Sequence, residues 1–247
     1  GTQPIPDLVA ALREGGVDSA AIAATGRTAS VPWTRVGVRS VEKGNGDWAR
    51  YPVRGIDQDF AANVEAPLQL RSADYATDRE VWEAVARDPS LAIVDANVLQ
   101  QRGGDPANLY LPELRTNERD FRPVELEIRD NASGKTATVK VIGVIDGRVS
   151  SLVGLYVSDE VVRQVFGRPS TIEYELRLVP GTDARAFARR VEAALLPFGA
   201  QAEATGELIG RATGIIRGFI RIIQGFMALG LVVGIAALGV VSYRAVI

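Results

Sequence analysis

Few side chains in this sequence have the reactivity on which most catalysis depends. Its 247 residues include no cysteine and no histidine. That excludes a disulfide framework, a thiolate metal site and a cysteine nucleophile. It also excludes a Ser-His-Asp triad and a His-ligated zinc. Asn131-Ala132-Ser133-Gly134-Lys135-Thr136 ends like a phosphate-binding loop. That motif needs a glycine five residues before Gly134, where Arg129 stands, and a helix after the Lys-Thr pair, where a strand pattern follows. A turn is the better reading, and no nucleotide is expected on this chain. Asp57 and Asp59 resemble the start of a calcium loop, but Asn63 is out of register and position 68 is a leucine. A helix cap or turn is favoured there. Asp7, Asp88, Asp95 and Asp105 are dispersed, and nothing in their spacing specifies a carboxylate pair. Ser150, Ser151 and Ser170 have no histidine base, and no lysine follows any of them by three residues. Asn131-Ala132-Ser133 is formally a glycosylation sequon. No catalytic, cofactor-binding or metal-ligating residue is assigned.

The composition fits a globular chain. Hydrophobic residues make up 47% and charged residues 23%, so whole-chain disorder is excluded. The length allows one large domain or two small ones, with a sizeable core. Lys and Arg number 28 against 30 Asp and Glu, a net charge of −2, so no nucleic-acid partner is expected. Only Lys43, Lys135 and Lys140 are lysines, an arginine bias read as a coding effect. Trp33, Trp48, Trp82 and Phe60 are scattered, as core or interface anchors are, with no basic stacking platform around them.

The elements that position these residues alternate between short strands and helices. Helices are expected at 7–14, stopped by Gly15-Gly16, at 78–87 with Thr77 as cap, at 158–166, and at 183–196. Strands are expected at 17–24, 35–41, 49–56, 91–94, 172–179 and 200–204. The runs at 124–129 and 136–145 flank a turn and read as a hairpin. Residues 102–121 hold glycines, prolines and few apolar anchors, and read as loop. This order gives the α+β class. The N-terminal helix and strand at 5–24 have no sheet of their own. They are expected to pair with the strand–helix–strand unit at 172–204. That makes a discontinuous lobe of 1–30 with 170–204, and an inserted lobe at 31–169.

The C-terminal part is different. Residues 222–243 carry no charge over 22 positions. As a helix they span about 33 Å, against a bilayer core of about 30 Å. Arg217, Arg221 and Arg244 flank the run, and Tyr243 sits at one edge, suited to snorkelling and interfacial anchoring. A transmembrane helix is favoured over a buried core helix, with 205–247 as stalk and span. Gly230 and Gly234 form a GxxxG, with Gly239 beyond, and are the candidate helix-packing positions. Gly206, Gly210, Gly214 and Gly218 either weaken the stalk or mark close packing. No signal-peptide pattern follows Gly1, and the chain reads as a piece of something longer. The local arginine count puts the side before the span in the cytoplasm.

The run from Gly225 to Val246 resembles the second membrane helix of FtsX-like ABC transporter permeases, the group that includes MacB. Gly55-Ile56-Asp57-Gln58-Asp59-Phe60, Asp78–Val85 and Asp88-Pro89 look like the extracytoplasmic domain of such permeases, and 139–143 and the 172–204 unit fit the same layout. The resemblance covers about 50–247. It implies a two-lobed, MacB-like α+β domain at 1–204, outside a prokaryotic cytoplasmic membrane. It implies a separate or fused ABC ATPase, a homodimer or pseudo-dimer of permease, and contact with membrane lipid. It implies motion passed along the stalk to the outer domain, with no catalysis in this chain and no cofactor. It also implies the opposite membrane direction to the arginine count. The substrate would be a lipid, lipoprotein, peptide or drug. The alternatives are a membrane-anchored extracytoplasmic sensor or binding module, and a tethered hydrolase built on paired carboxylates of perturbed pKa.

Overall fold

The computed structural model describes residues 5–42, 48–99, 109–114, 121–149 and 152–204. The stalk and apolar run at 205–247, with Gly206, Gly210, Gly214, Gly218, Gly230, Gly234 and Gly239, lie outside the described residues. Among the described residues no helix is long and apolar enough to cross a membrane.

The helices are α1 (Leu8–Glu14), α2 (Gln58–Asn63), α3 (Asp78–Arg87), α4 (Asp159–Phe166) and α5 (Ala184–Leu195). Four of the five begin on a side-chain cap. Asp7 accepts from the Ala10 amide, Asp57 from Phe60, Thr77 from Glu80, and Asp183 from Arg185 and Ala186. Each oxygen satisfies an amide that the first turn leaves unpaired. The Asp57 reading as a cap is therefore met.

The strands are β1 (Ile22–Val31), β2 (Val36–Ser40), β3 (Val53–Ile56), β4 (Leu68–Arg71), β5 (Leu91–Val94), β6 (Val124–Asp130), β7 (Thr136–Ile145), β8 (Leu155–Ser158) and β9 (Thr171–Leu178). They form one curled mixed sheet in the order β2-β6-β7-β5-β8-β3-β1-β9. β4 takes the edge of β7 where β6 leaves it. The β3–β8 and β5–β7 pairs are parallel, and all others are antiparallel. The α+β class is thus observed. The finer division into lobes is not decided by the sheet, which runs unbroken through both expected parts.

Side-chain alternation assigns the faces. Ile56, Phe60, Trp82, Ile93 and Tyr156 form a core under α2 and α3. Trp82 meets Tyr156 edge-on at 5.4 Å and Phe60 at 6.0 Å, and its indole N–H donates to the Ala66 carbonyl. Val31, Val53, Val157, Val161, Val162 and Phe166 form a core on the other face under α4. A third cluster joins α1 and α5 through Leu8, Leu12, Phe187, Val191 and Leu195, with Tyr174, Leu176 and Leu178 of β9 beneath. Glycines let helices close in on both faces. A Cβ at Gly26 would lie 2.8 Å from the Phe60 Cα of α2, and one at Gly55 would lie 2.8 Å from the Val162 side chain of α4.

Several expected boundaries shift. The strand expected at 17–24 begins at Ile22, because Asp18 starts a short 3-10 turn over Ser19–Ala21. The returning strand expected from 49 begins at Val53. Ala49 makes only an isolated bridge to Val38. No strand forms at 200–204. Ala200 and Ala202 pack unpaired against the third cluster. The stretch read as loop with few anchors buries Leu109, Leu111 and Leu114. β4 and β8 were not expected at all, and α2 only as far as Asp57 reads as a helix cap or turn. Each is only four to six residues long, too short to show a period.

Candidate functional site

β9 alternates Thr-Ile-Glu-Tyr-Glu-Leu-Arg-Leu. Tyr174, Leu176 and Leu178 face α1 and α5, so Glu173, Glu175 and Arg177 share the opposite face. Pairing extends that face inward. Glu173 lies opposite Thr28 and Thr171 opposite Ser30 on β1, Ser30 lies opposite Arg54 on β3, and Arg54 lies opposite Tyr156 on β8. Arg54 bridges to Glu173 at 3.3 Å. The hydroxyls of Thr28, Ser30, Ser158 and Tyr156 are buried on this face without a hydrogen-bond partner among the described residues. A continuous strip therefore carries two carboxylates (Glu173, Glu175), two guanidiniums (Arg54, Arg177) and five hydroxyls (Thr28, Ser30, Tyr156, Ser158, Thr171).

The electrostatics follow from that crowding. Burial pushes Glu175 above the ordinary carboxylate range, the Glu173 charge adds to it, and Arg54 opposes both. Burial raises the Tyr156 phenol, with Arg54 again acting the other way. Glu173 keeps 49% of its side chain exposed on an edge strand. Acid–base catalysis wants its carboxylates enclosed and close to a reacting atom. Of the strip, Glu173, Arg54 and Arg177 keep exposed surface, whereas Thr28, Tyr156 and Ser158 are closed off in the core beneath α2 and α3. Among the described residues no group of three side chains could hold a metal ion.

The acids singled out from sequence are not brought together. Asp7 and Asp57 are caps. Asp57 also accepts from the Arg27 amide at 3.1 Å, and Arg27 reaches on to Asp159 at the start of α4. Asp59 lies in the first turn of α2. Asp88 is held low by hydrogen bonds from the Ser90 hydroxyl and amide. Asp95 is buried and accepts from Tyr51 Oη at 2.7 Å, the Asn97 amide at 2.7 Å and the Gly154 amide at 2.5 Å, a knot that ties three segments together. Asp105, Ser150 and Ser151 lie outside the described residues, and Ser170 donates its amide to Ser30.

The phosphate-loop look-alike is the β6–β7 turn. Gly134 sits at φ +74°, and Asp130 accepts from Ser133 Oγ at 2.8 Å and from the Ala132 amide. A strand follows, so the turn reading is observed. Ser40 begins a Ser-x-x-Lys spacing ending at Lys43. Its buried hydroxyl lies at the end of β2, and Lys43 is outside the described residues. Trp82 and Phe60 are core. Trp48 is flanked by the guanidiniums of Arg39 at 4.4 Å and Arg129 at 4.0 Å, and Trp33 is exposed.

Sequence reasoning did not assemble the Arg54–Glu173–Glu175–Tyr156 strip. The paired glutamates two apart on a strand were the available signal. Arg54 reaches Glu173 across 119 residues of chain, and Tyr156 joins the strip only through the β8–β3 and β3–β1 pairings. No family model matches the chain, and no curated protein matches it.

Proposed function

We propose that this chain is part of a permease subunit of an FtsX-like, MacB-type ABC transporter. Residues 1–204 would be its two-lobed extracytoplasmic domain, and 205–247 its stalk and membrane helix. One observation carries the reading beside the apolar run at 222–243. Ile5, at the start of the described chain, and Ala200 and Ala202, near its end, belong to one hydrophobic cluster. The Ile5 amide donates to Tyr174 Oη at 2.7 Å across the same cluster. A domain strung between two membrane helices needs its incoming and outgoing chain side by side.

In this reading the chain does mechanical work. A partner ATPase closes the membrane helices, and the displacement enters the domain at the α1–α5 cluster. β1 carries it onward, since it pairs with β9 on one edge and β3 on the other. Substrate is a lipid, lipoprotein, peptide or drug. The partners are an ABC ATPase, a second permease copy and membrane lipid. A membrane-anchored sensor or binding module would use the same cluster.

The parent reading frame separates these accounts. The permease account expects one apolar span before Gly1, a Glu-Arg pair after Ile247, two further spans, and co-purification with an ATPase from membranes. A signalling domain directly after the first span overturns it in favour of the sensor.

A further inference from the structure

We infer that one end of the sheet rests on the phospholipid headgroup surface. This rests on the membrane reading above and goes beyond it in saying which surface faces the lipid. Register defines the end. Val31 lies opposite Val53, and Val53 opposite Leu155, so the turns holding Trp33 and Val153 come together. Leu155 donates its amide to Pro52, and Ser170 donates to Ser30, which puts the start of β9 there too. Only residues 179–183 separate β9 from α5, and both supply the third core cluster. α5 therefore runs back along β9 and delivers Leu196 and Phe198 to the same end.

The described residues expose six large hydrophobics, and four of them are here: Trp33 at 48%, Val153 at 39%, Leu196 at 70% and Phe198 at 51%. Scattered exposed apolar side chains need no explanation, but a group at one end does. Two cations accompany them. Arg168 follows α4, and Lys135 closes the β6–β7 turn beside Arg35, whose carbonyl accepts from the Asn131 amide. Neither Arg168 nor Lys135 is ion-paired among the described residues. Tryptophan, phenylalanine and leucine beside unpaired cations is the composition of a surface that meets anionic headgroups. Chain length agrees. Seventeen residues separate Ala204 from the apolar run at Ile222. As a helix they span about 26 Å, less than the roughly 33 Å of a ten-residue strand. A helix of that length would keep the bilayer within one domain length of Ala204.

The absence of cysteine makes the test site-specific. Single variants Trp33→Cys, Phe198→Cys and Ala184→Cys of the whole chain are labelled with an environment-sensitive fluorophore. They are placed in nanodiscs of phosphatidylcholine and phosphatidylglycerol carrying a spin-labelled lipid. Ala184 opens α5 at the opposite end and is exposed. Labels at 33 and 198 are expected to be blue-shifted and quenched severalfold more than at 184. Chain that enters the nanodisc with water-like, unquenched labels at 33 and 198 overturns this inference and leaves the membrane reading standing. Blue-shifted labels that lipid does not quench overturn it in favour of a protein cover, a second copy or the 205–221 segment. Chain that never enters the nanodisc overturns both.

Discussion

Arg35 shows how much one side chain can join. Its guanidinium bonds both oxygens of Asp130, at 3.1 and 3.0 Å, and donates to the Phe166 and Arg168 carbonyls at 2.5 and 3.1 Å. The β6–β7 turn is thereby fixed to the end of α4, where helical carbonyls lack partners. Burial alone would raise the Asp130 carboxyl. Hydrogen bonds from Arg35, Ser133 and Ala132, with the Arg35 charge, outweigh it and hold the group at about 2. A depressed carboxylate contributes stability that is present above its unfolded value. That stability is lost as pH falls through the folded one, here between about 4 and 2. The size is roughly 2 kcal/mol. Arg35→Ala is expected to lose about 2–3 kcal/mol at neutral pH, discounted for the partial exposure of Arg35. Urea melts at pH 7, 4 and 2.5 check it. The variant should also lose much of the wild-type fall between pH 4 and 2.5.

At the scale of elements, short helices survive because the sheet lets them close in. α2 has six residues, too few to hold its shape in water. It is held by the Asp57 cap, by Phe60 in the aromatic core and by close contact with Gly26. The obstacle to a side chain at 26 is backbone, which cannot swing aside. Gly26→Ala is expected to cost about 1–3 kcal/mol. It should lower the denaturation midpoint with little change in slope, because the same surface is still exposed on unfolding. An unchanged midpoint would mean that α2 moves freely on β1.

For the whole molecule, β1 is the member that unites the chain. It carries the β9 edge with α1 and α5 on one side, and the rest of the sheet through β3 on the other. Leu12 is fully buried at the centre of the α1–α5 cluster. Leu12→Ala is expected to cost about 2–5 kcal/mol. Native-state hydrogen exchange should rise first in α1 and α5, with β6 and β7 protected. Uniform loss of protection would show instead that the cluster and the larger sheet open as one unit.

The sequence by itself determined the local structure. Thr77 as cap, α3 over Asp78–Arg87, β5 over Leu91–Val94 and the β6–β7 hairpin were legible because capping oxygens, period and turn residues act between near neighbours. Only the tertiary structure decided what depends on distant pairing. It brought Tyr156 and Arg54 to Glu173 and sent Asp95 to Tyr51 and Gly154. β4 and β8 are strands because β7, β3 and β5 offer them edges, not because four residues specify a strand. The strand expected at 200–204 does not pair with the free edge of β9: Ala200 and Ala202 lie instead against the third hydrophobic cluster.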